Sequence, residues 1–242
     1  VTADDGYTPG PAITWVTIND PGVSGHEGFN GQMSRYETTN AQYAQYLNAA
    51  KASGAVTVSG NYVVGVGGAF AGQNYYNLAG SGWTYAGATN GGAARINWTG
   101  STFTVDSGFE NHPVTYVNWY GATAFAEHYG WRLPTEWEWQ AVADYNGSYT
   151  YGCGTTIDTS KANYYGSTHP YGTTAVGAFG TYGYGMADMA GNVWEWTSTV
   201  SDSYRVLRGG GWRYYVNDCT VANRGNFVPY SMNSNDGFRV CR

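Results

Sequence analysis

The sequence is poor in charged residues. Only 12% of its 242 residues are Asp, Glu, Lys or Arg, about half of the roughly 25% that is typical of soluble proteins. The surface must therefore consist largely of uncharged polar groups, which the 23 Tyr, the 36 Gly and the many Asn, Ser and Thr can supply. Because little charge repulsion keeps copies apart, we expect self-association or incorporation into a larger assembly. The alternative is a secreted protein with a merely adhesive surface.

Basic surface and long apolar runs are also lacking. A net charge of −6 and a pI near 5.0 argue against a basic groove for phosphates, so no nucleic-acid partner is predicted. No apolar run reaches the roughly 18 residues that a membrane-spanning helix needs. The sequence starts at Val1 rather than Met, which we interpret as a mature product without its signal peptide. The predicted location is extracellular, either secreted or at the cell surface.

Cysteine and histidine are scarce. Cys153, Cys219 and Cys241 allow at most one internal disulfide, by any of three pairings, and leave one thiol over. A non-haem iron site needs two histidines and a carboxylate as a minimum. The chain has four histidines, His26, His112, His128 and His169, and none in an HxxxH spacing, so no iron site is predicted, and His112 and His128 are interpreted as packing or surface residues. A nucleophile elbow and a glycine-rich phosphate loop are absent as well.

What the sequence does contain is a short strand followed by helical patterns. Residues 13–18, ITWVTI, alternate as in a strand, and the following NDPG predicts a turn. A first helix is predicted from about 40 to 52, because Thr39 and Gln42 form a capping box and Gly54 follows the end. Its buried face consists of Tyr43, Tyr46, Leu47 and Ala50.

Two further helices are predicted in the middle of the chain. The second has Asn118 as its N-cap and Gly130 just past its end, and its apolar face consists of Ala122, Phe125, Ala126 and Tyr129. The third runs from about 136 to 144, where Thr135 and Glu138 form another capping box. Residues 54–110, rich in Gly, Ala, Asn and aromatics, predict an insertion of short strands and loops.

Four ordered segments resemble one known family. They are RYETTNAQYAQYL, HPVTYVNWYGATAFAEHYGWRLPTEWEWQAVA, YGMADMAGNVWEWTS, and VLRGGGWRYY with a late GFRV. Together they are similar to the formylglycine-generating-enzyme, or sulfatase-modifying-factor, family over most of residues 13–242. The resemblance implies a single α+β domain with a C-type-lectin-like fold, few helices, short twisted strands and many loops. Residues 1–12 are then an N-terminal extension, and 54–110 a divergent insertion.

The same resemblance predicts where tryptophans lie. A fold with few regular elements depends on aromatic packing, so we expect core positions for Trp119, Trp131, Trp137, Trp139, Trp194 and Trp196.

The catalytic pattern of that family is incomplete here. Its enzymes oxidise a substrate cysteine with oxygen through a copper(I) ion held by two cysteines, six and eleven residues after the Arg of an RGGS motif. That Arg is Arg208, so the two positions are Tyr214 and Cys219, and Gly211 replaces the Ser. A phenol is a hard, mostly protonated oxygen and a poor copper(I) ligand. Copper is therefore not expected, and Cys219 is interpreted as a half-cystine or an inert buried thiol.

A calcium site is predicted from the resemblance. Calcium takes six to eight hard oxygens, which a tight turn can supply. In DMAGNVWEW the resemblance implies side-chain oxygens from Asp188 and Glu195 and main-chain carbonyls from Gly191 and Val193. The alternative is that the two carboxylates only cap turns. A second, weaker site is implied at Asn163 and Tyr164. Either calcium ion would have a structural role.

The terminal segment RYYVNDCTVANRGNFVPYSMNSND is crowded with Tyr, Asn, Ser and Asp. Rigid Tyr beside adaptable Asn and Ser is typical of recognition surfaces. The segment also resembles the variable region that retroelements diversify in lectin-fold binding proteins. The predicted binding surface consists of Arg213, Tyr214, Tyr215, Asn217, Asn223, Asn226, Tyr230 and Asn233.

Two functions follow as hypotheses. The first is a non-catalytic extracellular binding or structural domain, with a glycan, a protein or another copy as partner. In its structural version the chain is a surface or filament subunit, with residues 1–12 pairing with a neighbour's sheet edge. The second is a divergent oxidoreductase of the same superfamily that acts on a cysteine-containing protein.

Overall fold

The structure is a computed structural model that describes residues 10–85, 88–167 and 171–242. Among these residues there are three α-helices: α1 (Asn40–Ala52), α2 (Trp119–His128) and α3 (Glu136–Asp144). All three begin where the sequence predicts. Capping boxes at Thr39 and Thr135 close the starts of α1 and α3, and the Asn118 side chain accepts the Gly121 N–H at the start of α2.

The strands are short and form small sheets. In chain order they are β1 (Trp15–Val23), β2 (His26–Ser34), β3 (Val56–Ser59), β4 (Tyr62–Gly65), β5 (Asn74–Asn77), β6 (Trp83–Tyr85), β7 (Ala88–Gly91), β8 (Ile96–Trp98), β9 (Phe103–Val105), β10 (Trp194–Ser201), β11 (Tyr204–Arg208), β12 (Gly225–Phe227) and β13 (Asp236–Gly237). The largest described sheet has the order β12-β11-β10-β13, and only the β10–β13 pair in it is parallel. Three helices with mostly antiparallel sheets make this an α+β fold, as predicted.

The N-terminal hairpin corrects one prediction. The predicted turn at NDPG lies inside β1, and the chain reverses at Ser24 and Gly25 instead. Gly22 has a φ of 81°, and the register is unchanged across Pro21, since Asp20 pairs with Phe29 and Gly22 pairs with Glu27. The β1–β2 pairing therefore continues past the turn-forming pair without a change of register.

The core is aromatic. Phe125 of α2 is fully buried between Tyr43 of α1, 5.8 Å away by ring centroid, and Phe238, 5.3 Å away. Removal of such a ring to Ala costs about 3–5 kcal/mol. A second cluster packs α3 against the β1–β2 hairpin, and a third, smaller one joins Cys153, Ala162, Ala190 and Cys219.

The Gly- and Ala-rich stretch contains β3–β9. Its sheet β3-β4-β5 attaches to the body through β5, since Tyr76 pairs with Val117 and the Asn118 N–H donates to the Tyr75 carbonyl. The insertion thus lies beside the start of α2. Residues 1–9 of the predicted N-terminal extension lie outside the described residues. No helix in the described ranges has the length and apolar character needed to cross a bilayer.

Candidate functional site

The site region begins at Arg208, the last residue of β11. Its guanidinium is buried and donates to the carbonyls of Val221 and Asn223 and, through Nη2, to Glu136 Oε2 at 3.0 Å and Gln140 Oε1 at 2.9 Å. One side chain therefore ties the terminal segment to α3. Arg208 has a structural role that needs no substrate.

The glycines after Arg208 differ in whether the surrounding atoms leave space for a side chain. Gly210 has a φ of 77°, and a Cβ there would lie 2.7 Å from Cys219 Sγ. At Gly211 a Cβ would lie 3.5 Å from its nearest neighbours, which is ordinary contact. A side chain at Gly210 would therefore collide with the cysteine, whereas Gly211 leaves room for a Cβ.

Cys219 is a buried thiol. It is fully buried, and its Sγ donates to the Tyr215 carbonyl at 3.8 Å. Burial raises the pKa of Cys219 to about 12, and Asp218 adds to this. Since the thiolate is the reactive and metal-binding form, this cysteine is protonated at neutral pH. Cys153 and Cys241 are also buried free thiols, which agrees with the inert-thiol interpretation of Cys219.

Tyr214 occupies the position of the partner cysteine. Its ring stands edge-on to Trp194 at 5.5 Å, and the Arg213 guanidinium lies 5.8 Å from its centroid. Burial raises the pKa of Tyr214, with Asp236 contributing. The phenol stays protonated and is used in packing, so the pair Tyr214 and Cys219 offers no soft anionic ligand.

Each described histidine either forms a hydrogen bond with another side chain or packs against an aromatic ring. His26 Nε2 is 2.5 Å from Asp144 Oδ2. His112 Nδ1 is 2.9 Å from Thr173 Oγ1, and burial lowers the pKa of His112. His128 stacks edge-on with Tyr46 at 5.3 Å, and burial lowers its pKa too. His169 lies outside the described residues.

The carboxylate of Glu195 is paired with an arginine. Glu195 Oε2 accepts from Arg239 Nε at 2.6 Å and from Trp139 Nε1 at 2.7 Å, and Oε1 accepts from Arg239 Nη2 at 2.7 Å. Both charged side chains are fully buried. A cation beside this guanidinium would be repelled, so Glu195 does not fit the predicted role of calcium ligand. Its carboxylate is occupied by charge-assisted bonds of the strongest kind.

Two more buried carboxylates lie near this pair. Glu37 Oε2 accepts from Asn192 Nδ2 at 2.6 Å and Oε1 from the Val193 N–H at 3.1 Å. Asp188 Oδ2 accepts from the Gly177 N–H at 2.6 Å. Burial raises the pKa of Asp188 to about 6. The pKa of Glu37 is raised well above its usual range, mainly by burial and also by the nearby charge of Asp188. The negative charges of Glu195, Glu37 and Asp188 all act on Arg239 and raise its pKa, so one buried cation interacts with three carboxylates.

The remaining predicted calcium ligands are dispersed among internal hydrogen bonds. Asn163 Oδ1 accepts from Ser167 Oγ at 3.0 Å, and the Tyr164 carbonyl accepts from the Ser167 N–H. The Gly191 N–H donates to the Gly209 carbonyl. Within the described ranges no three His, Cys, Asp or Glu side chains converge on a common point suitable for a metal. Calcium at Asp188 and the carbonyls of Gly191 and Val193 stays a prediction.

The predicted binding surface divides into two halves. Tyr215 and Tyr230 are each 65% exposed, and Asn217 and Asn226 are exposed as well. The other members are at least partly used inside the fold. Asn233 Nδ2 donates to Asp236 Oδ2 at 2.6 Å, and Asn223 Nδ2 donates to Asp218.

Sequence reasoning missed several residues beside this surface. Tyr165 packs edge-on against Tyr215 at 4.9 Å, and its N–H donates to the Tyr214 carbonyl. A cleft of about 420 Å³ separates the terminal segment from the insertion, and its lining consists of Tyr62, Gly72, Gln73, Asn74, Asn77, Tyr230 and Met232. No local sequence signal joins residues so far apart along the chain.

The buried tryptophans mostly match expectation. Trp139, Trp194 and Trp196 are buried, and Trp119 and Trp131 are partly buried against the main core. Trp137 corrects the prediction, since it is 40% exposed. It lies on the outer face of α3, where the Arg208 guanidinium is 5.6 Å from its ring.

Comparison with known proteins places this geometry in a family. The model of the sulfatase-modifying factor enzyme 1-like domain matches residues 27–242. The chain belongs to that family. Within this domain, Tyr214 and Cys219 stand where the resemblance puts the two catalytic cysteines, and the fold prediction is confirmed.

Several curated relatives share the domain. The serine/threonine-protein kinase pkn1 of Chlamydia caviae is 36% identical over 62% of this chain and 27% of its own length. The formylglycine-generating enzyme of Streptomyces coelicolor is 34% identical over 55% of this chain and 53% of its own. The inactive C-alpha-formylglycine-generating enzyme 2 of Bos taurus is 32% identical over 52% and 49%. The chain thus spans between about a quarter and about half of the length of these relatives.

Solved structures show the same fold. CarF has a TM-score of 0.65 at 22% identity, over 96% of this chain and 98% of its own. Treponema denticola variable protein 1 has a TM-score of 0.63 at 19% identity, over 97% of each chain.

Proposed function

We propose that this chain is a non-catalytic binding domain whose terminal segment, residues 213–233, presents the recognition residues. The observation that carries the proposal is the state of the family's catalytic pair. Tyr214 is packed against Trp194, and Cys219 is a buried thiol whose pKa burial raises to about 12. Copper(I) chemistry needs soft thiolates, and this pair offers one protonated thiol and one phenol.

The exposed residues supply the binding half of the proposal. Tyr215 and Tyr230 are each 65% exposed, and each offers a large rigid contact area at a low entropy cost. Asn217 and Asn226 add exposed amides that can adapt to different hydrogen-bond partners. An inactive member of the family is among the relatives, which supports a domain that keeps the fold without the reaction.

The proposed setting is outside the cell, with structural calcium at Asp188. The scarcity of charged residues, 12% of the chain, also favours a second candidate, a surface or filament subunit that binds copies of itself. A glycan or another extracellular protein is the partner in the first candidate. Sedimentation of the purified protein distinguishes the two, since only the second requires concentration-dependent assembly.

The non-catalytic half is tested with copper and a cysteine-containing peptide. The wild-type protein and Cys219→Ala are titrated with copper(I) and then incubated with the peptide and oxygen, and aldehyde formation is followed by mass spectrometry. We expect neither protein to bind copper(I) stoichiometrically or to convert the peptide. Turnover by the wild type that Cys219→Ala abolishes would overturn the proposal and establish the oxidoreductase alternative.

A further inference from the structure

We propose that the cleft between the β4–β5 hairpin and the terminal segment is a subsite for a neutral oligosaccharide. The inference rests on the proposed function as a binding domain and adds the chemical class of its ligand. The cleft joins two parts of the chain that the sequence analysis treated separately, the insertion and the recognition segment.

The cleft has the size of a small-ligand site. Its volume is about 420 Å³, within the roughly 300–1,000 Å³ of typical ligand pockets. Tyr62, from β4, is 38% exposed, and Tyr230, from the terminal segment, is 65% exposed. Both tyrosines line the cleft.

The walls are held in place from behind. Asn118 Nδ2 donates to the Asn74 carbonyl at 2.6 Å, and the Asn77 N–H donates to the Tyr116 carbonyl at 3.1 Å. On the opposite wall the Trp119 N–H donates to the Pro229 carbonyl at 3.1 Å. Both walls are therefore anchored to the same short stretch before and at the start of α2. Such preorganisation lowers the entropy cost of binding.

The polar side chains that line the cleft can form hydrogen bonds with the hydroxyl groups of a sugar. Within the described part of the chain, the side-chain amides of Gln73 and Asn74 are exposed and have no hydrogen-bond partner. An amide both donates and accepts, as a sugar hydroxyl does. The C–H faces of a pyranose ring can stack on Tyr62 and Tyr230, while its hydroxyls reach the two amides.

The lining also selects against other ligands. No Asp, Glu, Lys, Arg or His is among the described residues that line the cleft, so it has neither a counter-charge for an anionic glycan nor a carboxylate for a bridging calcium. A peptide would need apolar pockets for its side chains, and Met232 is the single aliphatic side chain there. A neutral sugar, bound without calcium, fits these groups best.

The test uses an array that carries both fragments of free polysaccharides and protein-type N- and O-linked glycans, so that the two sources of the same chemistry are separated. The full chain is applied in calcium and again in EDTA. Tyr62→Ala and Gln73→Ala change exposed cleft residues, and Tyr204→Ala, 43% exposed on β11, is the matched control. Circular dichroism checks that each variant is folded.

We expect binding to neutral glycans that EDTA leaves unchanged, a loss of at least about tenfold in affinity for Tyr62→Ala, a smaller loss for Gln73→Ala, and none for Tyr204→Ala. If no neutral glycan on the array binds, or if Tyr62→Ala binds with unchanged affinity, the proposed subsite is wrong. Neither result would contradict the proposed non-catalytic function, because that proposal is overturned by copper-dependent turnover of the peptide.

Discussion

Arg239 is the residue whose replacement tests the electrostatics of the site most sharply. Its guanidinium is fully buried and makes two bonds to Glu195 and three to the carbonyls of Ser34, Arg35 and Ala187. The change Arg239→Gln removes the positive charge that faces the carboxylates of Glu37, Asp188 and Glu195. Glu195→Gln, by contrast, removes one of those negative charges and leaves the arginine.

The two substitutions are therefore expected to have unequal costs. Loss of one partner from a buried ion pair costs about 3–5 kcal/mol, because an uncompensated charge remains. For Arg239→Gln we expect the upper part of that range, since three carboxylates lose their common cation and three carbonyls lose donors. For Glu195→Gln we expect a smaller cost, because Glu37 and Asp188 still face Arg239.

The pH dependence supplies the second signature. Burial already raises the pKa values of Glu37 and Asp188, and Arg239 opposes that rise, so without Arg239 these two carboxyls bind protons still more readily in the folded state. A group with a raised folded pKa stabilises the fold at low pH and loses that contribution as the pH rises through its folded pKa. The stability of Arg239→Gln should therefore recover as the pH is lowered from 7.5 toward 5.

The assay is urea unfolding followed by tryptophan fluorescence at both pH values, in calcium and in EDTA. Arg132→Gln is the control, since Arg132 pairs with Glu138 at 2.6 Å but is 49% exposed, and exposed pairs contribute about 0–1 kcal/mol. Equal costs for Arg239→Gln and Arg132→Gln would refute the reasoning. A large stabilisation of the wild type by calcium that Glu195→Gln alone removes would restore Glu195 as a calcium ligand.

Three further outcomes are expected. Gly210→Ala should cost about 2–4 kcal/mol in urea unfolding, from its positive φ and the close Cys219 sulfur, while Gly211→Ala costs under about 1 kcal/mol; equal losses would contradict the packing. Cys219 should react with a thiol reagent only at the rate of unfolding, and immediate labelling in the native state would show an accessible thiolate. Burial raises the pKa of Asp236 to about 6, so this group should contribute a loss of at most about 3 kcal/mol of stability as the pH rises from 4 to 6, and Asp236→Asn should reduce the slope that Asp188 and Glu37 share with it; an unchanged slope would exclude a contribution from Asp236.

Local signals predicted the helices well. Each capping residue, at Thr39, Asn118 and Thr135, accepts the backbone N–H that its motif requires. These contacts lie within four residues of one another, so local chemistry decides them. The turn predicted at NDPG was wrong because strand pairing over nine residues of β1 outweighed a local preference, and the pairing continues past Pro21 in unchanged register.

The site was less accessible to sequence reasoning because its contacts are distant in the chain. Glu195 meets Arg239 across 44 positions, and a carboxylate in a turn motif looks the same in sequence whether it binds a cation or an arginine. The composition of the terminal segment could be read from the sequence, but its burial could not: Tyr215 and Tyr230 are exposed, whereas Asn233 donates to the buried Asp236. The cleft depends on Tyr62 and Tyr230 meeting in space, which no periodicity predicts.

The central claim, a family fold without the family reaction, is tested most directly by the metal content and peptide turnover of the purified native protein. The account predicts neither copper nor iron in stoichiometric amount and no conversion of a cysteine-containing peptide, whether or not copper(I) is added. One copper per chain that disappears in Cys219→Ala, together with aldehyde formation on the peptide, would contradict it and make Cys219 a catalytic residue.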